Sequence, residues 1–360
     1  MTSTGAPFRP TWRGIGMLLV AGVFTAGGIA FSRVELVYLA AVLVIALVLS
    51  WATVAIVRVP KRVERVLGSP LAPAGEPLRV VTRFDPSRSF DGAAELVSSG
   101  LVVSETSIGE EGLVSVVVPS RRGVHRLGPL RLERLAPFGA ALRRRSAGGS
   151  VDIVAVPPIV PLAPLSSTGS TGDDATRSGA QGQGTDNLIP RPYAPGDSIR
   201  RVHWRASAHH GDLMVREEER EQTASATVVI DTAPGSWASA DDFDLALSAL
   251  VSVVARLRAD GILVFVRTSA GSSLGDVAAA SDLDRLLEAC ARLEPLSAPP
   301  AAIPELGIVV VIGPGAWPPA TPAPHLLLTP APIAAPGWQQ ATLGADIAAS
   351  WAAAIEGGAR

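Results

Sequence analysis

Two uncharged apolar runs near the N-terminus constrain the fold of this chain more than any other feature. They are GIGMLLVAGVFTAGGIAF at residues 14–31 and LVYLAAVLVIALVLSWATVAIV at residues 36–57, separated by SRVE. About 20 apolar residues cross the roughly 30 Å hydrocarbon core of a bilayer, and there only a helix satisfies its own backbone groups. The sequence therefore predicts a transmembrane helical hairpin over residues 14–57.

The charges that flank the hairpin predict its orientation. Arg9 and Arg13 precede the first run, and a cluster of basic residues follows the second. The positive-inside rule then places both ends in the cytoplasm, namely residues 1–13 and the whole body after residue 57. The single cysteine, Cys290, suits a reducing compartment. A cleaved signal peptide is the alternative, but a second apolar run follows at once and GGIAFS fits a cleavage site poorly.

The body of the chain divides into regions of different pattern. Short β-branched runs between turn residues predict a small antiparallel sandwich or barrel over residues 76–160. Residues 161–186 are poor in hydrophobes and rich in Ser, Gly and Thr, which predicts a flexible linker. After a polar segment at 187–225, residues 226–360 alternate strand and helix patterns, which predicts a parallel doubly wound sheet with helices on both faces.

The polar segment concentrates the charged and aromatic residues of the body in RPYAPGDSIRRVHWRASAHHGDLMVREEER, residues 191–220. A phosphate-binding loop is excluded because the only lysine, Lys61, lies beside the hairpin. No G-x-S-x-G nucleophile turn is present, and the histidines do not have the spacing of known zinc sites. The net charge of −2 and the glutamates that end the segment argue against nucleic acid as a partner.

One carboxylate stands where a doubly wound sheet binds its ligands, at the end of a strand. Asp231 ends the strand pattern ATVVID, and D-x-S-x-S at such a place would hold a hard cation such as Mg²⁺ through oxygens. Here Ala233 and Gly235 replace the two serines, and Ser236 follows out of register. The sequence thus predicts no required cofactor and leaves Mg²⁺ at Asp231 and Ser236 as an open alternative.

The polar segment resembles the signature of the domain-of-unknown-function 58 (DUF-58) family in its actinobacterial form. The matching signature residues are Arg191, Tyr193, Gly196, Asp197, Arg200, Arg201, His203, Trp204 and Arg216. The upstream RRGVHRLGPLRL and PFG segments resemble the β region of that family, although Ala136 stands where an aspartate usually precedes Pro-Phe-Gly. The resemblance covers residues 14–270.

The resemblance implies a membrane-anchored protein whose C-terminal domain, 226–360, is von Willebrand factor A-like. It also implies a MoxR-type AAA+ ATPase as partner, often together with a transglutaminase-like membrane protein, and no established catalytic activity. Two hypotheses follow. The first is a non-enzymatic interaction module; the second is a hydrolase or transferase that uses Asp231, His203 or Glu217 with a metal. Whether the signature side chains face a partner or cross-link their own domain is open at this point.

Overall fold

A computed structural model of the chain describes most of its length, in two compact units. The described residues are 9–57, 59–60, 62–85, 90–109, 112–165, 188–193, 202, 204–218, 224–299, 301–317 and 319–357. Unit 1 comprises Met1–Val160, Ala238–Val251 and Asp284–Leu296, and unit 2 comprises Pro161–Trp237, Ser252–Leu283 and Ser297–Arg360. Most of the predicted linker, from residue 166 onward, lies outside the described residues.

The helices and strands follow one another in an order that matches the regions of the sequence. The strands of unit 1 are β1 (Arg9–Pro10), β2 (Val63–Leu67), β3 (Leu71–Pro73), β4 (Leu78–Phe84), β5 (Gly92–Val97), β6 (Leu101–Gly109), β7 (Gly112–Pro119), β8 (Gly123–Leu135), β9 (Ala141–Ala147) and β10 (Val151–Val156). Those of unit 2 are β11 (Leu188–Pro192), β12 (Met214–Glu218), β13 (Ser225–Ile230), β14 (Leu263–Thr268), β15 (Ser273–Val277), β16 (Ile308–Ile312), β17 (His325–Thr329) and β18 (Gln339–Thr342). The helices are α1 (Trp12–Ala30), α2 (Val34–Ile56), α3 (Trp204–His210), α4 (Ala240–Ala259), α5 (Ala280–Arg292) and α6 (Ile347–Glu356).

The two apolar runs form the helices α1 and α2, which confirms the predicted helical pair. Both are long and apolar enough to cross a membrane. Thr11 caps α1, since its hydroxyl accepts a hydrogen bond from the backbone N–H of Gly14 at 3.2 Å. The two helices approach each other closely beside the turn that joins them. A Cβ on Gly28 would lie only 2.7 Å from Val37 Cγ2, so this approach requires glycine at position 28. The helices therefore pack antiparallel as a hairpin.

Strands β2 to β10, called the β domain below, form two sheets packed face to face, and β1 adds to the edge of one of them. One has the order β1-β9-β8-β10-β3 with β5 also paired to β8, and the other has the order β2-β4-β7-β6. Val80 and Val117 from the second sheet share one buried cluster with Leu127 and Ile153 from the first. The β domain is therefore a sandwich rather than a closed barrel. One pair departs from the antiparallel pattern, because β3 runs parallel to β10.

Unit 2 contains a six-stranded sheet in the order β15-β14-β13-β16-β17-β18. All neighbouring pairs are parallel except β14 with β15. The parallel sheet predicted for residues 226–360 is confirmed. The chain leaves β13 toward β14 and later returns to the other side of β13 as β16, so the direction of winding reverses between β13 and β16. Ligands of such sheets bind at this switch point, beyond the carboxyl ends of the strands.

The prediction of helices on both faces of this sheet is wrong in part. The face that carries Val229, Val311 and Leu327 is covered by loop residues, among them Trp317 and Ile333. In the described part of the chain, loops rather than helices join β16 to β17 and β17 to β18. These loops are dense in proline, which removes helix-forming N–H groups and clashes with the preceding turn.

Candidate functional site

The polar segment forms a two-stranded sheet of its own, β11 with β12, together with the short helix α3. Strand β11 pairs antiparallel with β12, with Arg191 opposite Val215 and Pro190 opposite Arg216. Tyr193 extends this pairing, since its backbone N–H donates to the carbonyl oxygen of Leu213 at 2.8 Å. Signature residues far apart in the sequence are thus brought onto neighbouring strands.

Helix α3 is held against β12 by backbone and hydroxyl contacts. The hydroxyl of Ser207 accepts a hydrogen bond from the backbone N–H of Met214 at 2.8 Å. The helix ends at Gly211, whose φ of 82° is the left-handed conformation typical of a residue that closes a helix. Its N–H donates to the carbonyl oxygen of Ser207 at 3.0 Å. The position of Trp204, the first residue of α3, is therefore fixed relative to β12.

Trp204 points outward. Its side chain is 67% exposed, whereas Val202, Met214 and Val215 are buried. The apolar residues around Trp204 thus form the inner side of the segment, and the indole lies on its outer side. Among the residues that the structure describes, Trp204 is therefore the exposed aromatic side chain of the polar segment.

A second candidate site lies at the switch point of the sheet, where Asp231 follows β13. Its Oδ2 accepts a hydrogen bond from the Ser236 hydroxyl at 2.7 Å. Its Oδ1 accepts one from the Ser269 hydroxyl at 3.1 Å and one from the Ala233 N–H at 2.9 Å. The carboxylate is therefore held by two hydroxyls and one backbone amide.

The structure brings Asp231 and Ser236 together although the spacing of the sequence appeared unfavourable. A short 3-10 turn over Pro234–Ser236 folds the Ser236 hydroxyl back onto the carboxylate. Sequence reasoning missed Ser269 altogether. It follows β14 directly, and the rule that parallel strands end at the same edge of a sheet could have identified it.

A cavity of about 800 Å³ opens beside Asp231. Its wall is mainly alanine, Ile303 and Trp317, and its polar groups include Asp231, Ser269 and Glu305. A largely apolar cavity with few polar groups is the usual form of a small-molecule site. The cavity lies within unit 2, where the sequence placed ligand binding.

Glu305 is the centre of a buried polar cluster beside this cavity. Its carboxylate accepts hydrogen bonds from the Trp317 indole at 2.7 Å, the Ala320 N–H at 3.0 Å and the Thr321 hydroxyl at 3.3 Å. Nε2 of His325 lies 3.1 Å from the same carboxylate. Burial favours a raised pKa for Glu305, but the hydrogen bonds from Trp317 and His325 outweigh it, so the pKa lies below its usual value of 4.5. The cluster therefore holds an ionised carboxylate.

Residues 190–281 match the model of the family described as protein of unknown function DUF58. These residues are a DUF58 region. The DUF58 region contains α3, β12 and the sheet strands β13, β14 and β15, and thus both Trp204 and Asp231. No curated protein and no solved structure matches the chain.

Several predicted residues of the DUF58 region are described in part or not at all. Gly196, Asp197, Arg200, Arg201 and His203 lie outside the described residues. Arg191, Arg216 and Glu217 are placed by their backbone alone, on β11 and β12. Of the predicted surface, the structure therefore describes the side chains of Tyr193, which is half-buried, and Trp204, which is exposed.

Two further observations bear on catalysis. Among the described residues, no three His, Cys, Asp or Glu side chains converge as metal ligands. Cys290 is buried, and burial raises the pKa of its thiol to about 12, against a smaller lowering effect of Arg122. A thiol of this kind is protonated at neutral pH and is not a nucleophile.

We expect Gly313→Ala to disturb the candidate site at Asp231. Gly313 has a φ of 143°, and a Cβ there would lie 2.5 Å from Asp231 Cβ. The variant should lower the free energy of unfolding by about 1–3 kcal/mol, measured by thermal unfolding of the full-length protein in detergent. Gly315→Ala is the matched control, because its added Cβ meets open space. Equal effects of the two substitutions would contradict this account of Gly313.

Proposed function

We propose that this DUF58 protein is a membrane-anchored interaction module whose docking surface is centred on Trp204. The observation that carries the proposal is the exposure of Trp204 on a helix that is itself fixed to β12. Exposed tryptophan is costly in water and is among the residues that contribute most to protein interfaces. An ordered, outward indole is therefore a suitable anchor for a partner protein.

The hairpin supplies the membrane anchor in this proposal. In this proposal both helices span the membrane in antiparallel directions, so the N-terminus and the body lie on one side, and the flanking basic residues favour the cytoplasm of a plasma-membrane protein for that side. The lone cysteine is consistent with this compartment. The Trp204 surface is then presented to cytoplasmic partners close to the inner leaflet.

The partner that we propose is a MoxR-type AAA+ ATPase, with a transglutaminase-like membrane protein as a further component of the same assembly. The resemblance of the signature to the DUF58 family supports this choice. We also propose a von Willebrand factor A-like architecture for residues 226–360. Its support is the strand order of the sheet, with the first strand, β13, near the centre and one antiparallel strand, β15, at the edge.

Co-purification tests this function. Affinity-tagged full-length protein is extracted from its native membrane in mild detergent, and the amount of bound AAA+ ATPase is measured by quantitative mass spectrometry. We expect Trp204→Ala to weaken the complex by about 2 kcal/mol, roughly 30-fold in affinity, because the indole is the central anchor.

The matched control for Trp204→Ala is Leu296→Ala. Leu296 is 65% exposed, close to the 67% of Trp204, but it lies outside the DUF58 region. This variant should retain the ATPase. Retention of the ATPase by a folded Trp204→Ala protein would overturn the proposed surface.

For the alternative, a metal-dependent hydrolase or transferase, two of the three proposed residues have no described side chain. His203 lies outside the described residues, and Glu217 is placed by its backbone alone. Mg²⁺ at Asp231 and Ser236 remains a proposal, supported by the hydroxyls of Ser236 and Ser269 on one carboxylate. Calorimetric titration of the full-length protein and of Asp231→Ala with Mg²⁺ tests it: a site at Asp231 requires heat of binding that the variant loses.

A further inference from the structure

The β domain contacts the hairpin at the turn Pro137–Gly139 and at the residues that flank this turn. The Ser50 hydroxyl of α2 donates to the Pro137 carbonyl oxygen at 2.6 Å. The Thr11 N–H, at the start of α1, donates to the Ala140 carbonyl oxygen at 3.2 Å. The turn is thus bound to both helices within unit 1.

Close packing accompanies these hydrogen bonds. A Cβ on Gly14 would lie 2.1 Å from the Ala140 carbonyl oxygen, so the turn approaches α1 as closely as glycine allows. On the α2 side, Val54 shares a buried cluster with Ala136 and Ala141. Guanidinium Nη1 of Arg143 donates to the carbonyl oxygens of Val54 and Ala55, both at 2.7 Å. These contacts fix the depth of the turn relative to the helices.

That depth lies within the part of the helices expected to be surrounded by lipid. Ser50 precedes the last residue of α2 by six positions, roughly 9 Å along the axis at about 1.5 Å per residue. The 23 residues of α2 measure about 35 Å, against roughly 30 Å for the hydrocarbon core. In a centred helix the level of Ser50 is therefore several ångströms inside the edge of the core.

The backbone of the turn is suited to that environment. Irregular backbone at membrane depth requires internal partners for its polar groups. The carbonyl oxygen of Ala136 accepts from the Gly139 N–H at 2.9 Å, and that of Gly139 accepts from the Thr11 hydroxyl. The contacts to Pro137 and Ala140 were given above. The carbonyl groups that accept hydrogen bonds are therefore those of Ala136, Pro137, Gly139 and Ala140.

Phe138 is the residue that this arrangement exposes. Its φ of 61° lies in the left-handed region, which is uncommon for an aromatic residue. The side chain is 67% exposed. Strained residues of this kind are retained where the surrounding structure requires them, and they cluster at functional sites.

We infer that Phe138 is inserted into the acyl-chain region of the leaflet beside the hairpin, so that the β domain is anchored in the membrane by a third element besides the two helices. The occupant that we propose for this surface is lipid, because the turn is hydrogen-bonded to Ser50 of α2 at a level several ångströms inside the edge of the hydrocarbon core. The side chain of Arg13 passes beside Gly139, where its guanidinium can reach the headgroups while its stem stays in apolar surroundings. The inference rests on the proposed membrane-spanning hairpin.

Spin-label accessibility tests the inference on the full-length protein in nanodiscs of phosphatidylcholine and phosphatidylglycerol. Cys290, the only cysteine, is replaced by alanine. Single nitroxide labels are then placed by Phe138→Cys, Val42→Cys and Val102→Cys. Val42 is an exposed residue of α2, and Val102 is an exposed residue of the edge strand β6. Collisions with oxygen report lipid, and collisions with a water-soluble nickel(II) chelate report water.

We expect the ratio of oxygen to nickel accessibility at position 138 to resemble that at position 42 and to exceed that at position 102 several-fold. A water-like label at 138 together with a lipid-like label at 42 would overturn the insertion of Phe138 and leave the membrane-spanning hairpin intact. A water-like label at both 138 and 42 would overturn the hairpin and the insertion together. The label at 102 should be water-like in every case, which confirms that the probe distinguishes the two environments.

Discussion

Replacing Glu95 by alanine is expected to lower the free energy of unfolding of the β domain by about 3–5 kcal/mol. Glu95 and Arg65 form a bidentate ion pair, with Nε to Oε1 at 2.9 Å and Nη2 to Oε2 at 3.0 Å. Their side chains are 0% and 3% exposed. The Thr82 hydroxyl also donates to Glu95, at 2.8 Å. The substitution leaves a buried guanidinium without its counter-ion, and that uncompensated charge is the main cost.

Hydrogen–deuterium exchange at increasing urea concentrations measures this loss of stability, because the exchange rates of peptides from β4 and β7 report the opening of the β domain itself. Glu64→Ala is the matched control. Glu64 also pairs with an arginine, Arg62, but both side chains are largely exposed, and exposed pairs contribute between about 0 and 1 kcal/mol. Equal protection in the two variants would contradict the assignment of Glu95 as a buried structural anion.

Replacing Glu305 by alanine is expected to destabilise unit 2 by about 3 kcal/mol or more. The substitution removes the acceptor of the Trp317 indole and the partner of His325, both in the cluster beside the cavity. The other ring nitrogen of His325, Nδ1, lies 2.7 Å from the carbonyl oxygen of Ala323, so both ring nitrogens have oxygen partners. Loss of Glu305 leaves the Trp317 indole N–H and Nε2 of His325 without their oxygen partner, and these unsatisfied groups are the main cost.

Intrinsic fluorescence follows this unfolding well, since Trp317 and Trp338 pack edge to face with ring centroids 5.4 Å apart. Glu356→Ala, which removes an exposed carboxylate of the same unit, should change the unfolding free energy by less than about 0.5 kcal/mol. A Glu305→Ala protein as stable as the Glu356→Ala control would contradict the structural role of the cluster.

The pH dependence of Glu305 gives a second measurement of the same cluster. Because its pKa is lower in the folded state than in the unfolded state, ionised Glu305 stabilises the fold above its unfolded pKa of 4.5. This contribution decreases as the pH falls through the lower, folded pKa. The difference in stability between the wild type and Glu305→Gln should therefore be constant near pH 7 and shrink below about pH 4. A difference in stability between the two proteins that grows on acidification would contradict a lowered pKa of Glu305 in the folded state.

Much of the fold could be predicted because its signals are local. The hairpin follows from two uncharged runs of helical length, and the parallel sheet follows from β-branched runs such as Ile308–Ile312. The loop-covered face could not be predicted, since proline-rich segments have no periodicity by which to assign the surface that they cover. The alternation of patterns therefore suggested helices on both faces of the sheet, whereas loop residues cover the face that carries Val229, Val311 and Leu327.

The sites were less predictable because they depend on contacts between distant residues. Ser269 reaches Asp231 across 38 positions of the sequence, and Glu95 reaches Arg65 across 30. Neither pairing follows from spacing, since each depends on which strands are neighbours. The exposure of Trp204 is likewise a property of the folded segment. The residues that surround Trp204 in the sequence are the same whether its side chain packs inward or points outward.

We propose that Trp204 contacts a partner protein at the membrane surface. The most direct test of this contact is photo-cross-linking in the native membrane with benzoylphenylalanine at position 204, compared with the same probe at position 296. We predict an AAA+ ATPase among the products cross-linked at position 204 and its absence from those at position 296. Cross-links from position 204 that join only to residues of the same chain, in protein that co-purifies with the ATPase, would contradict the claim.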